Sequence, residues 1–351
     1  MKILVVVPSY PRVSGVDYHR LVVPHNYIAE NFDCTIDMAT EIDSATDEFL
    51  SEYDLIVANR FISKTKNTEN LIVKLRDLNV PYILDLDDDY VIPQNHILYD
   101  STKKGNHAYH IKLGGYHASA VTCTHSEMKK MIHSELLNEN TYVVPNGINP
   151  KEQFEVKQVG FDMPTFGWSG SVTHFEDLLL TVDSLYSLYK SDYKDKMRMV
   201  YGGYDQKNET SKAMAGILSA KGTALPEHFF LFPATDVFNY ANFYDRINVA
   251  LIPLRKNRFN SMKSNLKLLE AGFKKKAAIV SGVEPYTPLL NDGVNCLVAH
   301  TKKDWYKHMT YLIDNPHRIE ELAEQLHNDI QQFHIKEVAT KRFEVYKKII
   351  K

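Results

Sequence analysis

The sequence predicts an α/β protein made of two tandem domains, each an open parallel sheet with helices on both faces. Three observations carry this. Apolar runs such as Ile3–Val7, Tyr82–Leu86 and Val249–Leu254 are continuous rather than alternating, as in strands buried on both faces. They alternate with segments of helical spacing. The series occurs twice, on either side of a polar stretch from Ile148 to Met163, and 351 residues suit two domains better than one core.

In the first half the predicted strands are Ile3–Val7, Thr35–Met38, Leu55–Ala58, Tyr82–Leu86, Ala120–Thr122 and Thr141–Val144. Helices are expected over Tyr18–Asn31, where Pro24 marks a kink or the true start, and over Thr68–Leu78 and Ser126–Leu137. Pro8–Asp17 reads as a loop. In the second half the strands are Thr165–Trp168, Arg198–Tyr201, Phe229–Phe232, Val249–Leu254, Ala278–Ser281 and Cys296–Ala299. Helices are expected over His174–Tyr189, Phe238–Tyr244 and Leu266–Ala271. Three more close the chain, over Thr301–Asp314, Pro316–Phe333 and Ile335–Ile350. The expected division is 1–155 for the first domain and 156–334 for the second, with 335–351 crossing back to the first. Ligand sites of such sheets lie at the carboxyl ends of the strands, so two facing domains imply a cleft.

Composition sets limits. The net charge is −3, divided as −7 over residues 1–150 and +4 over 151–351. The basic half is the better host for a phosphate-bearing ligand, and the acidic half lacks the footprint of a duplex-binding surface. The clusters Lys103, Lys104, Lys112 and Lys129, Lys130 are local exceptions. Three separated cysteines, Cys34, Cys123 and Cys296, form no zinc spacing or disulfide framework, as in a reducing cytoplasm. No apolar run reaches the length of a membrane span, and Ile3–Val7 is too short for a signal-peptide core. A cytoplasmic location is expected.

Val249–Gly272 is the most informative segment: a buried strand, a basic loop with Arg255, Lys256, Arg258 and Lys263, then a helix opened by Ser264-Asn265. Cations beside the free amides of a helix start form a phosphate site, and Glu270 can accept hydrogen bonds from sugar hydroxyls. A site pairing diphosphate with ribose suggests a nucleotide-linked substrate. The turn Ser169-Gly170-Ser171 follows a strand, and its small residues let backbone approach a phosphate; a plain tight turn is the alternative. Gly202-Gly203 follows another strand, as a turn or as pocket lining.

Asp85-Leu86-Asp87-Asp88-Asp89 is the densest charge cluster. It admits a substrate or catalytic role, a divalent metal, or a structural cap. Mutual repulsion at a strand end calls for nearby cations, with Arg60 and Arg20 as the partners. Gly15 lets the first loop bend, and His19 and Arg20 after it are candidate phosphate or acceptor contacts beside a structural reading. His107, His110, His117 and His125 fit no zinc pattern, and no Gly-x-Ser-x-Gly elbow is present.

These pieces together resemble the GT-B-fold glycosyltransferases, specifically the retaining group that shares the "glycosyl transferases group 1" C-terminal domain. The matching residues are Val143–Ile148, Gly167-Trp168-Ser169-Gly170-Ser171, Lys263 through Glu270 to Gly272, Ser281–Tyr286 and Asp292–Val298, in order along nearly the whole chain. The resemblance implies two Rossmann-like domains facing across a cleft, and a UDP- or GDP-linked sugar held mainly by the second. By position, Glu270 holds the ribose. Lys263, Arg255, Ser264 and Asn265 hold the diphosphate, with Gly170, Ser171 and Gly202 against it. Asp88 is a catalytic candidate, and Gly15, His19, Arg20, Arg60, Asp87 and Asp89 line the acceptor side or cleft. Cations and amides then stabilise the leaving diphosphate without an essential metal. The implied acceptor is a glycan, a lipid-linked or a small-molecule hydroxyl.

The chain departs from that group at Met262, where a first carboxylate is usual, and in its first-domain histidine, for which His107 and His125 compete. The Asp87-Asp88-Asp89 run is similar to that of a subset of bacterial and phage-encoded members, so a DNA-base acceptor is an alternative. A non-catalytic sugar-nucleotide or glycan-binding module is the alternative of another class. An epimerase of the same fold, which needs two substrate-facing carboxylates and a histidine, with Asp88 and His19 as candidates, is a further alternative.

Overall fold

The computed structural model describes residues 1–65 and 67–350. It divides into two compact units. The first comprises Met1–Asn149, Ser261–Ser264 and the residues from Phe333 onward; the second comprises Pro150–Asn260 and Asn265–Gln332. Lys351, the last residue of the expected crossing helix, lies outside the described residues.

The first unit holds six parallel strands: β1 (Lys2–Val6), β2 (Thr35–Ala39), β3 (Leu55–Asn59), β4 (Tyr82–Leu86), β5 (Ala120–Cys123) and β6 (Thr141–Val143), in the order β2-β1-β3-β4-β5-β6. β3, β4 and β5 are buried along their whole length, which is why their sequences run apolar without alternation. The helix Ile335–Ile349 packs on the helix Val23–Asn31. His25 Nε2 lies 2.7 Å from the Tyr346 hydroxyl, and the Phe32 and Phe343 rings meet at 4.6 Å.

The second unit repeats the plan with β7 (Thr165–Ser169), β8 (Arg198–Tyr204), β9 (Phe229–Pro233), β10 (Val249–Ile252), β11 (Ala277–Ser281) and β12 (Leu297–Ala299), ordered β12-β11-β10-β7-β8-β9. Its core gathers Phe166, Trp168, Leu185, Met199, Tyr201, Leu251, Ile279 and Trp305. Thr301 and Asp304 form a reciprocal capping box for the helix Lys302–Asp314.

Several helices depart from expectation. Gly15–Asp17 is helical rather than loop, capped by Ser14, and a π-turn over Tyr18–Val22 joins it to Val23–Asn31. That wide turn lets Pro24 follow without a clash in the hydrogen-bond ladder. The expected helix His174–Tyr189 is broken into Phe175–Leu178 and Val182–Tyr189, with the Thr181 hydroxyl bonded back to Leu178 O at the break. Helices Tyr99–Lys104, His107–His117 and Glu209–Leu218 add to the expected set; the first two carry no clear apolar period, while the third buries Ser211, Met214 and Leu218 along one face. Among the described residues no helix is long and apolar enough to cross a membrane.

Candidate functional site

In the second unit, β7 and β8 end side by side in two glycine turns. Gly170 N lies 3.4 Å from Gly202 O. Gly203 has φ +90°, and a Cβ there would stand 3.1 Å from Gly170 O, so both the backbone angle and the close approach require glycine. A cavity of about 280 Å³ opens at these turns, lined by Ser169, Gly170, Ser171, Gly203, the Phe232–Thr235 segment, Tyr240 and Phe243.

Helix Leu266–Phe273 supplies the charged groups. Glu270 is buried, and both its oxygens accept phenol hydroxyls: Oε1 from Tyr240, and Oε2 from Tyr244 at 2.8 Å. Burial raises the Glu270 pKa, while the two hydroxyl bonds oppose that rise and so favour the charged form. Burial, the repulsion a phenolate would meet from Glu270, and the hydrogen bond that the neutral hydroxyl gives to Glu270 push Tyr244 well above the usual phenol range. Tyr240 therefore belongs both to the cavity wall and to the shell of Glu270.

One turn earlier in that helix stands Lys267, which sequence reasoning did not single out. Its ammonium donates to Ser169 O and lies 5.2 Å from the Trp168 ring centre. A Cβ on Gly170 would meet Lys267 Nζ at 2.6 Å, so the small residue makes room for the cation at the turn. A lysine inside an amphipathic Leu-rich helix reads as a surface residue; only the fold brings it to the glycine turn.

Asp177 is the second group missed. It is buried; one oxygen faces His174 Nδ1 at 2.8 Å, and the other accepts from Arg255 N and Asn260 Nδ2, each at 2.9 Å. A single carboxylate thus ties the start of the helix after the glycine turn to the Arg255–Asn260 loop. The Arg255 guanidinium pairs with Glu176. Asn265 caps the helix Leu266–Phe273 without a side-chain bond.

Lys263 and Ser264 are placed differently from these. Ser261–Ser264 groups with the first unit, where Met262 packs on the core and Lys263 Nζ lies 3.9 Å from Asp88. Arg60 spans Asp87 through two bonds of 2.9 Å and reaches Asp88 at 2.9 Å. Arg60 holds the left-handed φ of +59°, which L side chains adopt at a cost. Burial raises the Asp88 pKa and Asp87 adds to it, against Lys263 and Arg60. Asp89 accepts from Val91 N at 2.9 Å.

Arg20 is 1 % exposed and committed inside the unit: to Asp85 at 2.7 and 2.8 Å and to Asn146 at 3.1 Å. Thr122 and Arg342 add to Asp85, which these cations hold below the usual carboxylate range against its burial. His19 is buried beside it, and desolvation, helped by Arg20, lowers its pKa to about 3. Gly15, by contrast, is exposed at the start of its helix. Among the described residues no group of three or more His, Cys, Asp or Glu is disposed to hold a metal ion.

Residues 233–341 match a family model described as "Glycosyl transferase-like". Comparison with the curated proteins finds no match. Among solved structures, sucrose-phosphate synthase from Thermosynechococcus elongatus superposes with a TM-score of 0.74 at 13% identity, covering 99% of this chain and 98% of that one. A glycosyltransferase from Rickettsia africae gives 0.69 at 14% identity, covering 100% and 98%. Anabaena HepE, in a complex with UDP and glucose, gives 0.69 at 12% identity, covering 98% of each chain. The two six-stranded parallel sheets match the two Rossmann-like domains of these structures. The chain therefore has the GT-B glycosyltransferase fold, and its residues 233–341 are similar to a glycosyl transferase-like family.

Proposed function

We propose that this protein is a glycosyltransferase that moves a sugar from a nucleotide-sugar donor to a hydroxyl acceptor. The observation that carries the reading is the placing of Lys267, Glu270 and Tyr240 around the glycine turns of β7 and β8. Glu270, held in place by two phenol hydroxyls, accepts the ribose hydroxyls. Lys267 and the amides of Ser171 and of the helix start at Asn265 meet the diphosphate. The base enters the cavity edged by Phe232–Thr235. UDP is the favoured carrier, supported by HepE structures that hold UDP, UDP and glucose, or UDP-glucose; GDP is the alternative.

As the glycosidic bond breaks, the diphosphate gains negative charge, and fixed cations and amides stabilise that charge. A metal is not essential in this scheme. The leaving phosphate takes the acceptor proton on the same face of the sugar, so configuration is retained. Acceptor-side roles fall to Asp88, Arg60 and Lys263; Arg20, spent on Asp85, is given none. The acceptor is a glycan, lipid-linked or small-molecule hydroxyl, and the setting is the cytoplasm. A thermal-shift panel of nucleoside diphosphates and their sugars tests the class, since stabilisation grows with ligand over Kd. A saturable shift with one base supports it, and no shift with any nucleotide removes it.

A further inference from the structure

A second cavity in the second unit, of about 610 Å³, opens against the outer strands β8 and β9. That is the size of a small-molecule pocket. Alternate residues of a strand share a face, and the register sets Val200 beside Phe230 and Gly202 beside Phe232. Val200, Phe230 and Phe232 therefore form an apolar floor on one face of the sheet. Val159 and Phe161, from the segment before β7, and Asp245 and Arg246, from the segment before β10, add to the lining.

The charges around this floor do not cancel. Asp162 accepts from both terminal nitrogens of Arg198, so that pair is closed. Asp245 is held by Lys157 and by Lys274, each at 2.9 Å. Two carboxylates are thus spent on three cations, and two further cations remain. The Arg246 guanidinium is exposed in the lining and has no ion-pair or hydrogen-bond partner among the described residues. Lys276 stands behind the wall, its Nζ 5.4 Å from the Phe161 ring centre. It is 6% exposed, with no carboxylate in ion-pair contact among the described residues. Burial, opposed by Asp245, lowers its pKa to about 8, as for an amine short of counter-charge. An apolar floor edged by surplus positive charge suits a ligand with an apolar body and one anionic group. The polar body of a nucleotide does not match it.

We propose that this cavity is a second ligand site, for a small carboxylic acid with an aromatic or branched apolar body. The body packs on Val200, Phe230 and Phe232, and the carboxylate meets Arg246. The cavity shares Phe232 and Pro233 with the one at the glycine turns, but it lies at the Arg246 end of the segment Tyr240–Arg246 rather than the Tyr240 end. Calorimetric titration of phenylbutyrate into the full chain tests the site, with phenylbutanol as the neutral counterpart. Saturable binding of phenylbutyrate is expected, with phenylbutanol roughly tenfold weaker. Arg246→Gln is expected to weaken phenylbutyrate roughly tenfold and to leave phenylbutanol unchanged. Gly160 also lines the cavity, and a Cβ there would meet nothing within 4 Å. Gly160→Trp is therefore expected to fill the mouth and abolish binding of both probes, with Tm unchanged. Three results overturn the proposal: no saturable binding of phenylbutyrate, an affinity unchanged in either variant, or displacement of phenylbutyrate by UDP, which puts the probe at the glycine turns. A wild type that binds no nucleotide defeats the donor reading and leaves these titrations standing.

Discussion

Tyr240 lines the cavity at the glycine turns and donates its hydroxyl to Glu270, so one side chain joins the pocket wall to the buried carboxylate. Tyr244 holds the other oxygen of Glu270 from the same 3-10 segment, Tyr240–Arg246. Tyr244→Phe removes a buried donor to a carboxylate and is expected to cost about 1–3 kcal/mol, read as a lower Tm without ligand. Tyr240→Phe is expected to act mainly on nucleotide affinity, read by calorimetry.

Lys267 stands where the account puts the leaving diphosphate. Lys267→Met keeps the length of the side chain and removes the charge. It is expected to lower kcat on the order of 100-fold with Tm little changed, as for other groups that stabilise developing charge. A steady-state assay of nucleotide release checks this; full activity in the variant removes Lys267 from the site.

Asp85 is the anion between Arg20 and Arg342, all three 1% exposed or less. Asp85→Asn leaves two buried guanidinium groups without their counter-charge. The expected cost is about 3–5 kcal/mol, seen as loss of the first unit's transition at low urea.

The pH dependence follows from two histidines. His19 and His25 are buried, and both are held down to about 3 from 6.5, chiefly by desolvation. A depressed histidine pKa means that the unfolded chain takes up protons first as pH falls. Stability is therefore full above about pH 6.5 and is lost progressively towards pH 3, at about 1.4 kcal/mol per pH unit for each histidine. Asp85, also depressed, adds its loss only below the ordinary carboxylate pKa. Urea titrations between pH 7 and 4.5 are expected to show the slope, and His25→Gln to flatten it.

Much of the fold was legible because strands buried on both faces must be continuously apolar. The helices Tyr99–Lys104 and His107–His117 were not legible, since neither repeats apolar residues at helical spacing. The need of clustered aspartates for cations pointed to Arg20 and Arg60, and the structure sets both against that run. Lys263, close to Glu270 along the chain, groups with the first unit and lies 3.9 Å from Asp88, a placement that sequence order alone does not give. Lys267 and Asp177 were missed because each looks like an ordinary helix residue until β7, β8 and β10 bring their loops together.

The most direct measurement is a calorimetric titration of UDP, GDP and UDP-glucose into the wild type and into Glu270→Gln. Saturable binding of the uridine nucleotides is expected in the wild type. Binding at least tenfold weaker is expected in Glu270→Gln, which keeps the shape of the side chain and loses the charge that the ribose hydroxyls meet. Equal affinity in both proteins, or no nucleotide binding by the wild type, contradicts the account.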